Sequence, residues 1–177
     1  LHQCVGLEEI HREFLHLTKK HPAEIQFHEL YSCFPIAVRL QREAYGLNDL
    51  PVTVTGGMTF GGGPFNNFTF QGLSQLSQKV READTDGLIT SISGMLTKQG
   101  LILITAQNSG SNILLSDVSN KTQSRALSVE IQPDMTGHAE IISSTDSHTA
   151  GSPKVFVLLE NQYKKRRLLS SCPVPLV

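Results

Sequence analysis

The chain has 177 residues, with fifteen Lys and Arg against sixteen Asp and Glu and a formal net charge of -1. That balance supplies no global field for nucleic acid or an anionic membrane, and no apolar run reaches the roughly 20 residues a spanning helix needs. Charged residues at 18% and apolar residues at 39% fit a globular chain, with room for one core or for a mid-sized domain plus an appendage.

Leu1 stands where an initiator Met would, so the chain is expected to start inside something longer, with no signal peptide at its head. Cys4, Cys33 and Cys172 are odd in number and widely spaced, and make neither a disulfide framework nor a Cys-x-x-Cys metal pair. An intracellular, cytoplasmic protein is the expectation. The sequons at Asn67 and Asn120 carry little weight without a signal peptide.

In chain order, Leu7, Ile10, Phe14 and Leu17 fall at helical spacing over 7–20, with Glu8 and Glu9 early, Lys19 and Lys20 late, and Pro22 as the stop. Residues 24–28 alternate like a half-buried strand. Ser32 is placed to N-cap a second helix, with Pro35 in its first turn and Gly46 as its C-cap. The β-branched run 51–55 predicts a strand, and a glycine-rich loop follows over 56–64. Phe70, Leu73, Leu76 and Val80 predict a third amphipathic helix, and 88–92 and 101–105 predict strands joined by a turn near Gly94. This alternation argues for an α/β layer over 1–105 with partly parallel strands, the last pair antiparallel because its connection is short.

Residues 106–126 are rich in Ser and Asn and read as a linker, or as a strap lying over the first domain. Beyond them, strand-like runs at 127–132, 138–145, 154–160 and 163–171, separated by short turns, predict a small antiparallel β-barrel over 127–177. Within it, Lys164, Lys165, Arg166 and Arg167 form the one charge run, which reads as the solvated edge of a strand rather than a polyanion patch. The seven histidines offer no metal constellation: His11 and His16 are five apart, His28 lies near Tyr31, and His138 and His148 stand apart in the second region.

The most distinctive stretch runs from Val52 to Asn67, with five glycines between a predicted strand and a predicted helix. Glycines there permit positive φ and close backbone approach, and amides at a helix start can meet an anion or an acyl oxygen. It is neither a Walker loop nor a dinucleotide fingerprint. From pattern alone, the favoured reading is that the glycines let the next helix pack tightly on the sheet.

Gly56-Gly57 through Gly63-Pro64 resembles the thiolase loop in which a Gly-Gly is followed by Gly-His-Pro. Tyr31-Ser32-Cys33-Phe34 is similar to the thiolase Asn-Glu-Ala-Phe stretch, and 87–94 falls where a second cysteine precedes a glycine turn. The wording at 30–35, 53–57 and 96–98 resembles more closely the thiolase-like proteins of type 1, acetyl-CoA acetyltransferase-like chains that end in an extra β-barrel. The resemblance implies the C-terminal half of a thiolase fold, a mixed sheet with helices, followed by that barrel.

Thiolase chemistry needs a nucleophilic thiolate, a base and an oxyanion hole. By the resemblance, the nucleophile belongs to an N-terminal half that this chain lacks. Gly63 stands at the histidine position, and Ile92 or a neighbour at the acid–base cysteine. The resemblance therefore implies no catalytic residue and no metal site in this chain. Tyr31, Ser32, Gly56, Gly57, Gly62, Gly63, Asn66 and Asn67 are the candidate substrate-binding residues. No resident cofactor is expected; the resemblance admits a coenzyme A thioester as substrate or ligand. The expected function is a non-catalytic or altered acyl-thioester- or partner-binding module. Its alternatives are an acyltransferase active only with a missing N-terminal half, and a scaffold working through the barrel. The partner expected is such an N-terminal half or a second chain, with no nucleic acid.

Overall fold

The computed structural model describes residues 3–107, 110, 113–127, 137–147, 154–161 and 166–173; of Asn66 and of 166–173 it describes the backbone alone. Two compact units divide the chain, 1–126 and 127–177.

Helix α1 spans Val5–Thr18 and buries Leu7 and Phe14; it ends one turn before the proline because Lys19 turns left-handed (φ 57°) and returns its N–H to the Leu15 carbonyl at 3.0 Å. A 3-10 turn, Pro22–Glu24, leads into the short strand β1, Phe27–Glu29. Helix α2 spans Pro35–Tyr45 and closes at Gly46, whose φ of 70° suits glycine. Its N-cap is Phe34, not the expected Ser32, because Pro35 already occupies the first turn and Phe34 is extended.

Helix α3 is a single turn, Met58–Gly61, and helix α4 runs from Phe68 to Ala83. The hairpin of β2 (Asp86–Ser93) and β3 (Lys98–Thr105) completes a three-stranded sheet of order β1-β2-β3. β1 runs parallel to β2, which requires the long crossover through α2 and α4, while β2 and β3 are antiparallel.

Alternation along β2 decides the layering. Leu88 joins the core with Leu7, Phe14, Leu40 and Tyr45 of α1 and α2, while Ile89 faces Leu76 and Val80 of α4. The sheet is thus covered on both faces, as expected of an α/β layer.

The expected strand at 51–55 does not form: the backbone bends at Val54 and Thr55 and joins no sheet among the described residues. One backbone bond joins Leu30 N–H to the Val52 carbonyl at 2.9 Å; beyond it, a side-chain carboxylate takes the amides that a ladder would have used.

Residues 119–125 form a helix, α5, inside the stretch that the sequence predicts to be a linker or strap. Polar on every side, it has no apolar stripe to announce it and is held by charge instead. Arg125 pairs with Glu8 and Glu9 of α1, and Lys121 with Glu13 at 2.6 Å.

In the second unit, β4 (Glu140–Ser147), β5 (Lys154–Asn161) and β6 (Arg166–Pro173) form an antiparallel meander with an irregularity at Ile141/Ser143. Among the described residues this sheet is open, so the closed barrel expected from sequence is not found. The expected strand at 127–132 lies outside the described residues apart from Leu127, as do His148 and the lysines of the charge run. No helix among the described residues is long and apolar enough to cross a membrane.

His11 sits where α1 meets the end of α2, edge-on to His21 at 5.1 Å and to Tyr45 at 6.0 Å. Burial, then the neighbouring His21 and Arg12, push its pKa below the ordinary 6.5. The unfolded chain therefore holds the extra proton, and stability that is complete above pH 6.5 is lost as pH falls below it. Denaturant midpoints should drop from neutral to mildly acidic pH, and His11→Phe should flatten that slope.

Candidate functional site

Two segments distant in sequence meet beyond the end of β1. The Tyr31 N–H donates to Thr90 Oγ1 at 2.9 Å, and its carbonyl accepts from Gln41 Nε2 at 2.9 Å. Thr90 in turn donates to Gln41 Oε1, and Gln41 also reaches the Ala37 carbonyl. Gln41 and Thr90 are buried, so this closed network fixes the Tyr31 backbone between α2 and β2. The Tyr31 ring lies edge-on to Phe68 of α4, centroids 5.8 Å apart. Burial, and secondarily Cys33, raise its hydroxyl pKa.

Ser32 then reaches the glycine loop: its Oγ accepts the Met58 N–H at 2.9 Å. Gly57 makes that approach possible. At φ 75° it holds a conformation that strains other residues, and a Cβ there would lie 3.0 Å from Ser32 Oγ. Gly56, at φ 86°, packs beneath the Phe60 side chain.

Behind the loop stands Glu29, buried at the last position of β1 and absent from the sequence-derived candidates. Its carboxylate accepts from Val54 N–H at 2.7 Å, Thr55 N–H at 2.9 Å, Thr55 Oγ1 at 2.9 Å and Thr53 Oγ1 at 3.1 Å. Thr55 Oγ1 also accepts the Gly57 N–H at 3.0 Å, so one hydrogen-bonded chain runs from Glu29 to the double glycine. Glu29 is a positioning residue. The available signal was an acidic residue just past the predicted strand 24–28 and a Thr-Val-Thr run at 53–55; the pairing itself is non-local. His28 points to the opposite face, bonded to the Pro22 carbonyl at 2.9 Å, and takes no part.

Of the eight candidates, Tyr31, Ser32, Gly56 and Gly57 therefore converge. Gly62 and Gly63 are exposed, and a Cβ on either would meet nothing within 4 Å. Asn67 occupies the N-cap of α4 without a side-chain cap bond and is exposed; the Asn66 side chain lies outside the described atoms. Four phenylalanines around this region, Phe34, Phe60, Phe65 and Phe70, are 67–88% exposed. No group of three or more metal-ligating side chains occurs among the described residues.

Two concavities border this end of the unit. One, of about 460 Å³, lies along α2 beside Arg39, Arg42 and Glu43, but Arg42 is already engaged by the Leu47 and Asn48 carbonyls. The other, of about 350 Å³, is lined by Tyr31, Thr69, Phe70, Ser91, Ser93 and Lys98, among others. It adjoins the candidate site directly.

No family model matches the sequence, and neither does any curated protein. Among solved structures the chain is similar to a monomeric SCP2-thiolase like protein type 1 from Mycobacterium smegmatis, with a TM-score of 0.79 and 19% identity over 90% of this chain. The match covers 36% of that protein, so this chain spans about a third of its length. At that identity the likeness is one of architecture, and it establishes for this chain a thiolase-like fold.

Proposed function

We propose that this chain is an acyl-CoA-related module of the thiolase superfamily, corresponding to a C-terminal half, that binds an acyl thioester or a protein partner without running thiolase chemistry. The observation that carries the reading is the Ser32–Met58 hydrogen bond. It joins the Tyr31-Ser32 motif to the double-glycine loop within a thiolase-like fold. A backbone held open by Gly56 and Gly57 can approach an acyl oxygen, and Tyr31 supplies a wall.

Catalysis is disfavoured by residue type. Gly63 has no imidazole, Ile92 no thiol, and no described histidine joins the cluster. Cys33 is exposed and adjoins Ser32, but no base among the described residues is bonded to it.

The second reading is an acyltransferase completed by an N-terminal half, on the same polypeptide or a second chain. The exposed Phe34, Phe60, Phe65 and Phe70 support it, since so much aromatic surface beside one loop is characteristic of a covered face. The scaffold alternative assigns partner binding to the second unit and its antiparallel β4-β5-β6 sheet. A cytoplasmic setting belongs to all three.

Calorimetric titration of the full chain with acetyl-CoA tests the primary reading. Saturable binding, weakened by Ser32→Ala and unaccompanied by release of free CoA thiol, is expected. Absence of binding would remove the thioester-binding reading, and CoA release would remove the non-catalytic one.

A further inference from the structure

The second concavity has a composition of its own. Its floor is largely apolar, because Tyr31, Phe68 and Ile92 form one buried cluster beneath it. Phe70, in the first turn of α4, makes one wall; it is 67% exposed and belongs to no core cluster. The opposite wall is the end of the β2–β3 hairpin, where Ser93 and Lys98 are directly paired across the ladder. One position along the same face of β2, Ser91 stands opposite Gly100, and a Cβ at Gly100 would lie 2.6 Å from Ser91 Oγ. Glycine at that point leaves the Ser91 hydroxyl its place beside the cavity. Thr69 adds a third hydroxyl.

Among the described residues, Lys98 is the one cation lining this cavity, and it makes no ion pair. No described Asp or Glu lines the cavity. A largely apolar floor that carries the Tyr31 hydroxyl, an aromatic wall, the hydroxyls of Ser91, Ser93 and Thr69, the Gln99 amide and a single ammonium together select one kind of ligand. It has a short apolar body to cover Ile92 and Tyr31 and one anionic head that reaches Lys98. About 350 Å³ lies near the lower end of the roughly 300–1,000 Å³ typical of small-molecule sites.

We infer that the pocket between the first turn of α4 and the end of the β2–β3 hairpin binds a small monocarboxylate with a short apolar chain. The carboxylate pairs with Lys98 and the hydroxyls of Ser91 and Ser93, and the chain lies against Tyr31, Ile92 and Phe70. The inference goes beyond the acyl-thioester reading and shares only Tyr31 with it. It needs neither the Gly56–Asn67 loop nor coenzyme A.

Amide chemical shifts of the full chain, followed during titration with hexanoate, test it. Saturable shifts confined to Tyr31, 69–70, 91–93 and 98–99 are expected, with a Kd of about 1 mM for so small a ligand. Hexan-1-ol, with the same chain and no charge, should bind more weakly. Lys98→Met should weaken hexanoate about threefold to fivefold, the scale of an exposed ion pair. Phe70→Ala should weaken hexanoate and hexan-1-ol alike; both substitutions are at exposed positions, so the fold is retained.

No saturable shift, equal binding of hexan-1-ol and hexanoate, or unchanged affinity in Lys98→Met would each overturn the inference. A parallel titration with acetyl-CoA separates the two readings. Hexanoate binding without acetyl-CoA binding leaves the pocket standing and the thioester reading fallen. Acetyl-CoA binding without hexanoate binding overturns the pocket and leaves the thioester reading in place.

Discussion

Glu29→Ala should destabilise the first unit by about 2–4 kcal/mol, the scale of losing a buried carboxylate that accepts several charge-assisted hydrogen bonds. The truncation strands the Val54 and Thr55 amides and the Thr53 and Thr55 hydroxyls, all of which now converge on one carboxylate. Because 51–55 pairs with no strand, no ladder stands ready to take those donors over. Glu29→Gln is the informative contrast. Its remaining oxygen can keep both amides while its NH₂ faces the threonine hydroxyls, which can turn round to accept. A loss of about 1–2 kcal/mol is expected there. Denaturant midpoints give the two values, and hydrogen exchange at Val54, Thr55 and Gly57 should accelerate in the alanine variant. Equal effects of Ala and Gln, or protection unchanged at those amides, would show that Glu29 does not organise the loop.

Phe68→Ala should cost about 3–5 kcal/mol, as deletion of a fully buried aromatic ring does. Phe68 is 1% exposed, packs edge-on to Tyr31, and belongs to the cluster against which Met58 of the loop helix packs. It is the point at which α4, the Tyr31 motif and the glycine loop share one core. The neighbouring Phe70→Ala should leave stability within about 0.5 kcal/mol, since that ring lies on the surface. Two phenylalanines two positions apart thus separate a core role from a surface one. Comparable losses in the two variants would contradict the packing.

How far the sequence could be read follows from the range of each interaction. Helices α1, α2 and α4 were legible because their apolar positions repeat along the chain, and Gly46 closes α2 by its own conformational freedom. The antiparallel β2–β3 pair was legible from a short connection around Gly94. α5 was not, since its docking onto Glu8, Glu9 and Glu13 joins residues more than a hundred positions apart, and nothing in 119–125 is apolar. The candidate site divides in the same way. Tyr31, Ser32 and the glycines stand out as residue types in an unusual order. Glu29, Gln41 and Thr90, which hold them, look like ordinary polar residues of a strand or helix until the fold buries them.

By itself the sequence determined the α/β alternation, the helices with apolar stripes and the glycine-dependent turns, because those depend on side-chain periodicity and on the φ angles a residue can adopt. Only the tertiary structure decided that 51–55 is held by the Glu29 carboxylate instead of a ladder, and that Ser32 takes the first amide of α3 rather than capping α2. It also decided that Lys98 faces a pocket. Each of those outcomes rests on which distant donor or acceptor a folded chain leaves nearest to a buried polar group, and local pattern carries no record of it.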